Sequence, residues 1–350
     1  MQSDRPRIKR SYTIVGHGVD VVELRQGAWN ATSYTLNDEG KSGRLYRVLQ
    51  RLDGSVSTAQ IAREEGIARS EVEALVDHLM QLDVLEMGPS SALDYYVDQM
   101  VPSLKSSGWA RPQQRRVTIV GDTSLTTPLC DLVRRSLEER AGARPPDVDE
   151  SLRRLIDETT EEDLYDALRF QQRVEKVGAW ADAFVVLVQE RVDPRRCVAF
   201  NRLAQTAKIP WMHVALDGPF LLIGPTFTPP HSGCYECLET RVLMNLREGA
   251  SYVAYKDALL RRQVIHGAMP LLPALHSTVV AHTALEIANF VATGTNFTAT
   301  QVLSIYMPTM AFAYHEVLKL PECAGCGSVS ERDEQDLYFD LRHLLEPSDA

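Results

Sequence analysis

The first 88 residues change from an alternating hydrophobic pattern to a helical one. Three β-rich runs come first, with Gly16, Gly18 and Gly27 as turn residues between them, and predict strands over residues 11–15, 21–25 and 31–36. Helical spacing of apolar residues follows and predicts helices over residues 41–52, 57–64 and 70–82, the last with Val72, Leu75, Val76, Leu79 and Met80 on its apolar stripe. This order predicts an α+β winged-helix domain over residues 1–88.

The rest of the chain has the pattern of an α/β domain. Residues 89–114 are rich in Pro, Ser and Gly around one amphipathic stretch and predict a linker with a bridging helix. Buried strands at 117–120, 184–188 and 211–216 alternate with helices at 128–140 and 194–208, which predicts a parallel, doubly wound sheet in a domain over residues 115–350. We interpret the charged stretch 147–177 as a solvated helical insert, and residues 224–230 as an extended segment.

Composition and charge exclude several classes of partner. Hydrophobic residues make up 44% and charged residues 24% of the 350 positions, as in a globular protein. The net charge of -10 argues against a nucleic acid or an anionic membrane as partner. The apolar run at residues 184–188 is far shorter than a membrane-spanning helix requires, and the N-terminal apolar stretch is interrupted by polar residues and glycines, so that it forms no secretory signal. We therefore expect a cytoplasmic protein without a membrane partner.

Four of the six cysteines form two pairs with metal-ligand spacing. The pairs are Cys234-Tyr-Glu-Cys237 and Cys323-Ala-Gly-Cys326, separated by 86 positions from Cys237 to Cys323. Four thiolates complete a closed tetrahedral shell, which suits one structural zinc ion. Buried free thiols, or a redox pair, are the alternatives. Glu236 and Glu239 beside the first pair are interpreted as surface acids.

The sequence after the first strand of the α/β domain matches a phosphate-binding loop only in part. The strand at 117–120 is followed by Gly121, Asp122, Thr123 and Ser124, with one glycine where nucleotide-binding loops carry several. The carboxylate of Asp122 would face a phosphate group at this position. ATP is therefore not expected as a cofactor, although a nucleotide bound through a different arrangement stays an alternative.

The second half of the chain resembles a known family over residues 115–328. Gly224 and Pro225 lead to the Cys-Tyr-Glu-Cys pair, and Cys323-Ala-Gly-Cys326 closes the pattern, in an order similar to the ThiF/MoeB family of ubiquitin-activating-type adenylating enzymes. The segment from Gly224 to Arg241 is similar to the ocin-ThiF-like subfamily. The loop at 121–126 departs from the active members, and Asp193 is the nearest candidate for the family's magnesium ligand.

The resemblance implies a fold and a function. It implies a doubly wound ThiF-like sheet with structural zinc, preceded by a winged-helix domain resembling the peptide chaperone PqqD over residues 11–87. Members of the subfamily work with YcaO cyclodehydratases on thiazole/oxazole-modified microcins and thiopeptides. The implied role is to bind the leader of a ribosomal precursor peptide and deliver it to a YcaO enzyme for azoline formation, without catalysis by this chain. Relatives of this fold form dimers, so a homodimer is a further expectation.

An exposed edge strand and the third helix are the expected peptide groove. The added strand would pair with the edge strand, and apolar side chains of the helix would supply pockets. The residues assigned to this groove are Ala31, Thr32, Ser33, Tyr34, Thr35, Leu36, Val72, Val76, Leu79 and Met80.

Two other functions stay open at this point. An active adenylating enzyme acting on a peptide C-terminus would need a working phosphate loop and a magnesium carboxylate. A winged-helix DNA-binding regulator would need a basic recognition helix, whereas the helix at 70–82 carries Glu71, Glu73 and Asp77.

Overall fold

The computed structural model describes residues 5–18, 20–29, 32–87, 92–99, 101–105, 115–138, 144–267 and 271–327. The chain divides into two units, residues 1–105 and 106–350. The domain limits that the sequence predicts at residues 88 and 115 stay a prediction. No helix among the described residues combines the length and the apolar character that crossing a bilayer requires.

The first unit combines two small sheets with short helices. An antiparallel three-stranded sheet has the order β2-β3-β4, and a two-stranded ribbon pairs β1 with β5. Its elements are β1 (Pro6–Ile8), β2 (Thr13–Gly16), β3 (Val21–Gln26), β4 (Thr32–Asn37), α1 (Leu45–Arg51), α2 (Thr58–Glu65), α3 (Arg69–Gln81), β5 (Leu85–Met87), α4 (Ala92–Gln99) and α5 (Pro102–Lys105).

Local sequence signals explain both ends of α2. The Ser57 side chain accepts a hydrogen bond from the Gln60 backbone N–H and begins α2, and Gly66 ends it in the left-handed region at φ +65°. Alternate residues of β3, Val22 and Leu24, are fully buried against the helices. The unit therefore has a core of its own.

The second unit is a seven-stranded mixed α/β layer structure. Its strands have the order β12-β11-β10-β9-β8-β6-β7. Its elements are β6 (Arg116–Gly121), α6 (Thr123–Leu137), β7 (Asp147–Val148), α7 (Glu150–Glu158), α8 (Glu161–Tyr165), α9 (Ala167–Val177), β8 (Ala183–Gln189), α10 (Pro194–Ala207), β9 (Trp211–Asp217), β10 (Phe220–Phe227), α11 (Tyr235–Asn245), α12 (Gly249–Leu260), α13 (Pro273–Thr293), β11 (Gln301–Tyr306) and β12 (Ala311–Glu316).

The sheet is only partly parallel, which corrects the sequence expectation. Strands β7, β6, β8 and β9 are parallel, whereas β9 to β12 form antiparallel pairs. All seven residues of β8 are buried because helices cover both faces: Phe184 stacks on Phe290 of α13, and Val185 belongs to a cluster that includes Phe200 of α10. The strand order reverses between β6 and β8, and open α/β sheets bind ligands beside such a switch point.

Two segments differ from the expected helices. The charged stretch 147–177 is helical after the short strand β7, but it is not simply solvated, because Leu152, Leu155 and Ile156 of α7 are buried in the core. Helix α6 begins at Thr123, five residues before the predicted start, and contains Pro128. Proline lacks the N–H that would bond to the Ser124 carbonyl four residues earlier. That carbonyl instead lies 2.6 Å from Nε2 of His276.

Candidate metal centre and the phosphate-loop position

The four paired cysteines lie together in the second unit. Their sulfur atoms are all within 4.8 Å of one another. The Sγ atoms of Cys234 and Cys323 are 3.5 Å apart, and those of Cys237 and Cys326 are 3.4 Å apart. Four sulfur atoms around one zinc ion, each at a bond length of about 2.3 Å, are separated by about 3.8 Å. The cluster can therefore bind a single metal ion such as zinc.

Local structure sets the position of each cysteine. Cys234 is the N-cap of α11 and Cys237 lies in its first turn, and both are fully buried. Cys323 and Cys326 lie in a tight turn after β12, closed by a 2.7 Å hydrogen bond from the Gly327 backbone N–H to the Cys323 carbonyl. A Cβ on Gly327 would lie 2.6 Å from that oxygen. Only glycine fits there without a shift of the backbone.

The crowding of the thiols favours a bound cation. Hydrogen bonds from the neighbouring thiols, that of Cys234 above all, lower the pKa of Cys237 well below its usual range. The same interaction with Cys237 raises the pKa of Cys234. The backbone N–H of Leu320 also donates to Cys237 Sγ at 3.4 Å. Four thiolates at this separation would repel one another, and a divalent ion removes that repulsion.

A partly buried ion pair lies beside the metal centre. Arg202 donates to Glu236 with Nε–Oε1 and Nη2–Oε2 distances of 3.0 and 3.2 Å. Gly325 packs so closely on Glu236 that a Cβ there would lie 2.6 Å from Oε1. Glu239 bonds to Lys256 at 2.6 Å. The interpretation of Glu236 and Glu239 as surface acids is therefore wrong, because both have distant partners that the local sequence does not reveal.

The position of a phosphate loop is occupied by the protein's own polar groups. Gly121 ends β6 at φ +135°, and a Cβ there would overlap the Val188 carbonyl of β8. The Asp122 carboxylate does not cap α6 but accepts a 2.7 Å hydrogen bond from the Glu190 backbone N–H. Ser124 donates its hydroxyl to the Glu190 carboxylate, and Thr123 begins α6. Carboxylates thus lie where an anion would meet the N-terminus of α6.

The cation nearest this loop is shared among carboxylates. Arg196 lies 3.3 Å from Asp122, 2.6 Å from Asp157 and 3.7 Å from Asp193. Burial by itself lowers the pKa of Arg196, but the carboxylates, led by Asp157, raise it overall. Asp193 also caps α10 by accepting from the Arg195 and Arg196 backbone N–H groups. One guanidinium among three carboxylates leaves a net negative charge, which disfavours a phosphate.

The residues assigned to the peptide groove fall into two classes. Strand β4 is an edge of the three-stranded sheet, with exposed Thr32, Ser33 and Thr35 alternating with half-buried Tyr34 and Leu36. Ala31 lies outside the described residues. On α3, the side chains of Val72, Val76 and Leu79 are buried in the core, whereas Met80 is 45% exposed. Met80 is thus the α3 residue of this set that a ligand can reach, and the peptide groove itself stays a prediction.

Comparison with known proteins gives likenesses of fold. No family model matches the chain, and no curated protein matches it. The heterocyclase TruD aligns with 99% of this chain and 45% of its own, at 20% identity and a TM-score of 0.65. A heterocyclase in complex with substrate and cofactor aligns with 94% of this chain and 40% of its own, at 17% identity and a TM-score of 0.65.

A third structure matches over nearly its whole length. Escherichia coli MccB with ATP aligns with 92% of this chain and 99% of its own, at 12% identity and a TM-score of 0.50. The chain spans less than half the length of the two heterocyclases it matches. At these identities the likeness shows that the chain shares its fold with these proteins.

Proposed function

We propose that this chain captures the leader of a ribosomally made precursor peptide and delivers it to a YcaO-type cyclodehydratase, which forms the azolines. The observation that carries the proposal is the fold shared with two heterocyclases along nearly the whole chain. The chain matches less than half the length of each heterocyclase, and we therefore assign it one part of heterocycle formation, the capture of the peptide. A homodimer and a cytoplasmic location remain predictions from the sequence.

The open edge of β4 supports strand addition. The Asp38 backbone N–H donates to the Asp20 carbonyl, beyond the pair Val21 and Asn37. Hydrogen-bonded and non-bonded pairs alternate along antiparallel strands, so Tyr34 and Leu36 bond to β3. The backbone groups of Ser33 and Thr35 then point away from β3, where an extended leader could add a fourth strand.

The phosphate-loop position supports a role without catalysis. An ATP phosphate at the N-terminus of α6 would meet the carboxylates of Asp122 and Glu190, and Arg196 is already paired with carboxylates. The negative charges of these carboxylates would repel the phosphate and oppose its binding. The alternative, an active adenylating enzyme acting on a peptide C-terminus, would require these groups to move apart.

The four cysteines serve this function as a structural staple. We assign one zinc ion to Cys234, Cys237, Cys323 and Cys326, because an all-thiolate, closed set has no open position for a reacting water. The ion would hold the N-terminus of α11 to the turn after β12, which are far apart in sequence. Zinc here stabilises the second unit and takes no part in a reaction.

The test is binding of a fluorescein-labelled leader peptide of a ribosomal precursor, measured by fluorescence anisotropy. Thr35→Pro removes one outward N–H of β4 and should weaken binding by about tenfold or more. Thr35→Ala keeps that N–H and is the matched control, with circular dichroism as a check of folding. Equal affinity of the two variants, or no binding by the unaltered chain, would count against peptide capture.

A second titration separates the proposal from adenylation. Isothermal calorimetry of the zinc-loaded protein with magnesium and ATP should show no saturable heat at millimolar nucleotide. Saturable binding together with ATP–pyrophosphate exchange would replace the delivery role by the enzymatic one. Leader binding without nucleotide binding is the result we expect.

A further inference from the structure

A cavity of about 560 Å³ lies in the second unit beside the end of β9. Its walls come from the loop after β8, from β9, β10, α11 and α12, and from the segment that follows α12. Leu222, Leu238, Val242 and Leu246 make much of the wall apolar. The volume is in the range of sites that hold small organic ligands, which combine such walls with a few polar groups. Neither the metal centre nor the outer edge of β4 uses this cavity.

Some polar groups of the lining are held within the fold. The Glu239 carboxylate accepts from the Tyr252 hydroxyl at 2.7 Å and from Lys256 Nζ at 2.6 Å, so its charge is balanced by the ammonium group. Both ring nitrogens of His213 are buried, and Tyr235 is only 4% exposed. These groups shape the cavity, and the recognition of a ligand falls to the other polar side chains.

Two opposite charges of the lining are open to a ligand. Arg191 follows β8 and is half-buried, and Asp217 is the exposed last residue of β9. Within the part of the chain that the structure describes, no side chain forms an ion pair with the Arg191 guanidinium or with the Asp217 carboxylate. His266 and Tyr255 also line the cavity, and either side chain can donate or accept a hydrogen bond. A cation and an anion can thus both pair with a ligand.

The two charges lie near one hydroxyl group of the cavity. Burial raises the pKa of Tyr255, and among the nearby charges Asp193 and Asp217 raise it further whereas Arg191 lowers it. The Arg191 guanidinium and the Asp217 carboxylate are therefore both within electrostatic reach of the Tyr255 hydroxyl. Asp193 is already engaged, because its side chain caps α10. The cavity therefore presents one cation and one anion beside an apolar wall.

We propose that this cavity binds a small zwitterion with an apolar side chain. The carboxylate of the ligand pairs with Arg191, its ammonium group pairs with Asp217, and its side chain packs against the apolar wall. A ligand with a single charge would pair with one of these residues and meet a like charge at the other. An uncharged apolar ligand would desolvate both charges without a partner for either. A free amino acid and a short peptide with free termini carry the same chemistry. The inference does not depend on leader capture by the first unit.

The test is equilibrium dialysis of the full chain against radiolabelled L-leucine and radiolabelled L-leucyl-L-leucine. Each probe is competed by three analogues that lack the apolar side chain, the ammonium group or the carboxylate. For leucine these are glycine, N-acetyl-L-leucine and L-leucinamide, and for the dipeptide they are glycylglycine and its own N-acetyl and amide forms. We expect saturable binding of at least one probe, with each of its analogues about tenfold or more weaker. Tighter binding of leucine identifies a free amino acid as the ligand, and tighter binding of the dipeptide identifies a short peptide.

Three variants assign the parts of the ligand. Arg191→Gln should bind a probe and its amide equally, and Asp217→Asn should bind a probe and its N-acetyl form equally. Each is the matched control for the other, because each should keep the preference that the other loses. Val242 is 44% exposed at the cavity, so Val242→Trp can fill the space with little change to the core and should abolish binding. Circular dichroism checks the folding of all three.

Three results would overturn the proposal. The first is the absence of saturable binding of either probe at millimolar concentration. The second is competition by glycine or glycylglycine as strong as that of the unlabelled probe, because the apolar wall would then play no part. The third is a charge variant that keeps both preferences of the unaltered protein. Loss of one preference in each charge variant is the result we expect.

Discussion

Acid should weaken the second unit through one histidine. His213 is buried on β9, and burial lowers its pKa from 6.5 to about 4. In the unfolded chain the imidazole recovers its ordinary pKa, so between these two values the unfolded state binds more protons. The contribution of the neutral ring is therefore fully present above pH 6.5 and is lost as the pH falls toward 4.

The size of the effect follows from the two pKa values. With 6.5 for the unfolded chain and about 4 for the folded one, the free energy of unfolding falls by about 2 kcal/mol between pH 7 and pH 5. Amide hydrogen exchange of peptides from β8 and β9 reports the opening free energy of this unit separately from the first one. His213→Gln is the matched control, because glutamine does not titrate and the other ionisable groups are unchanged.

The measurement compares how much the opening free energy of each protein falls between pH 7 and pH 5. The unaltered protein should lose about 2 kcal/mol more than His213→Gln over this interval. An equal loss in the two proteins would mean that the folded state protonates His213 readily, and the argument from its burial would then be refuted.

Three other perturbations test the metal centre, the first unit and the phosphate-loop position. Anaerobically purified protein should contain one zinc ion per chain, and Cys326→Ser should lower both the zinc content and the thermal midpoint because one ligand of four is lost. In urea titrations, Leu79→Ala should lower the free energy of unfolding by about 2–5 kcal/mol, because the side chain is fully buried. Met80→Ala, at an exposed position, should lower it by less than about 0.5 kcal/mol. Asp122→Asn keeps the hydrogen bond from the Glu190 N–H but loses the charge attraction to Arg196. Hydrogen exchange in β6 should therefore show an opening free energy lower by about 1 kcal/mol. Unchanged zinc content, equal stabilities of the Leu79 and Met80 variants, or unaltered β6 exchange would contradict the respective argument.

Strongly patterned elements could be predicted from the sequence. The apolar run at 184–188 lies inside β8, and the strand predicted at 211–216 lies inside β9. A strand covered on both faces is apolar at nearly every position, and His213 is the exception in the second run. The spacing of the cysteines also sufficed to select the four residues whose sulfur atoms the fold brings together. In both cases the signal is local and does not depend on a distant partner.

The antiparallel half of the sheet lacks such a signal. Strand β10 contains Gly224 and Pro225, which break the strand pattern, and its pairing with β9 shifts register between Ile223 and Thr226. All six residues of β12 are exposed, so no buried face imposes an alternation of apolar and polar residues. These strands are specified by their neighbours, which lie far away in the chain.

At the phosphate-loop position, the sequence motif does not reveal which groups the polar side chains contact. The sequence predicts that Asp122 disfavours an anion, but it does not predict what the carboxylate does instead. The fold uses it to join the ends of β6 and β8, with Glu190 and Arg196 as partners. In place of a phosphate site, the fold has contacts among residues up to 74 positions apart. Asp122→Gly would remove one carboxylate but leave Glu190 paired with Ser124 of α6, so a nucleotide site here would require changes at both positions.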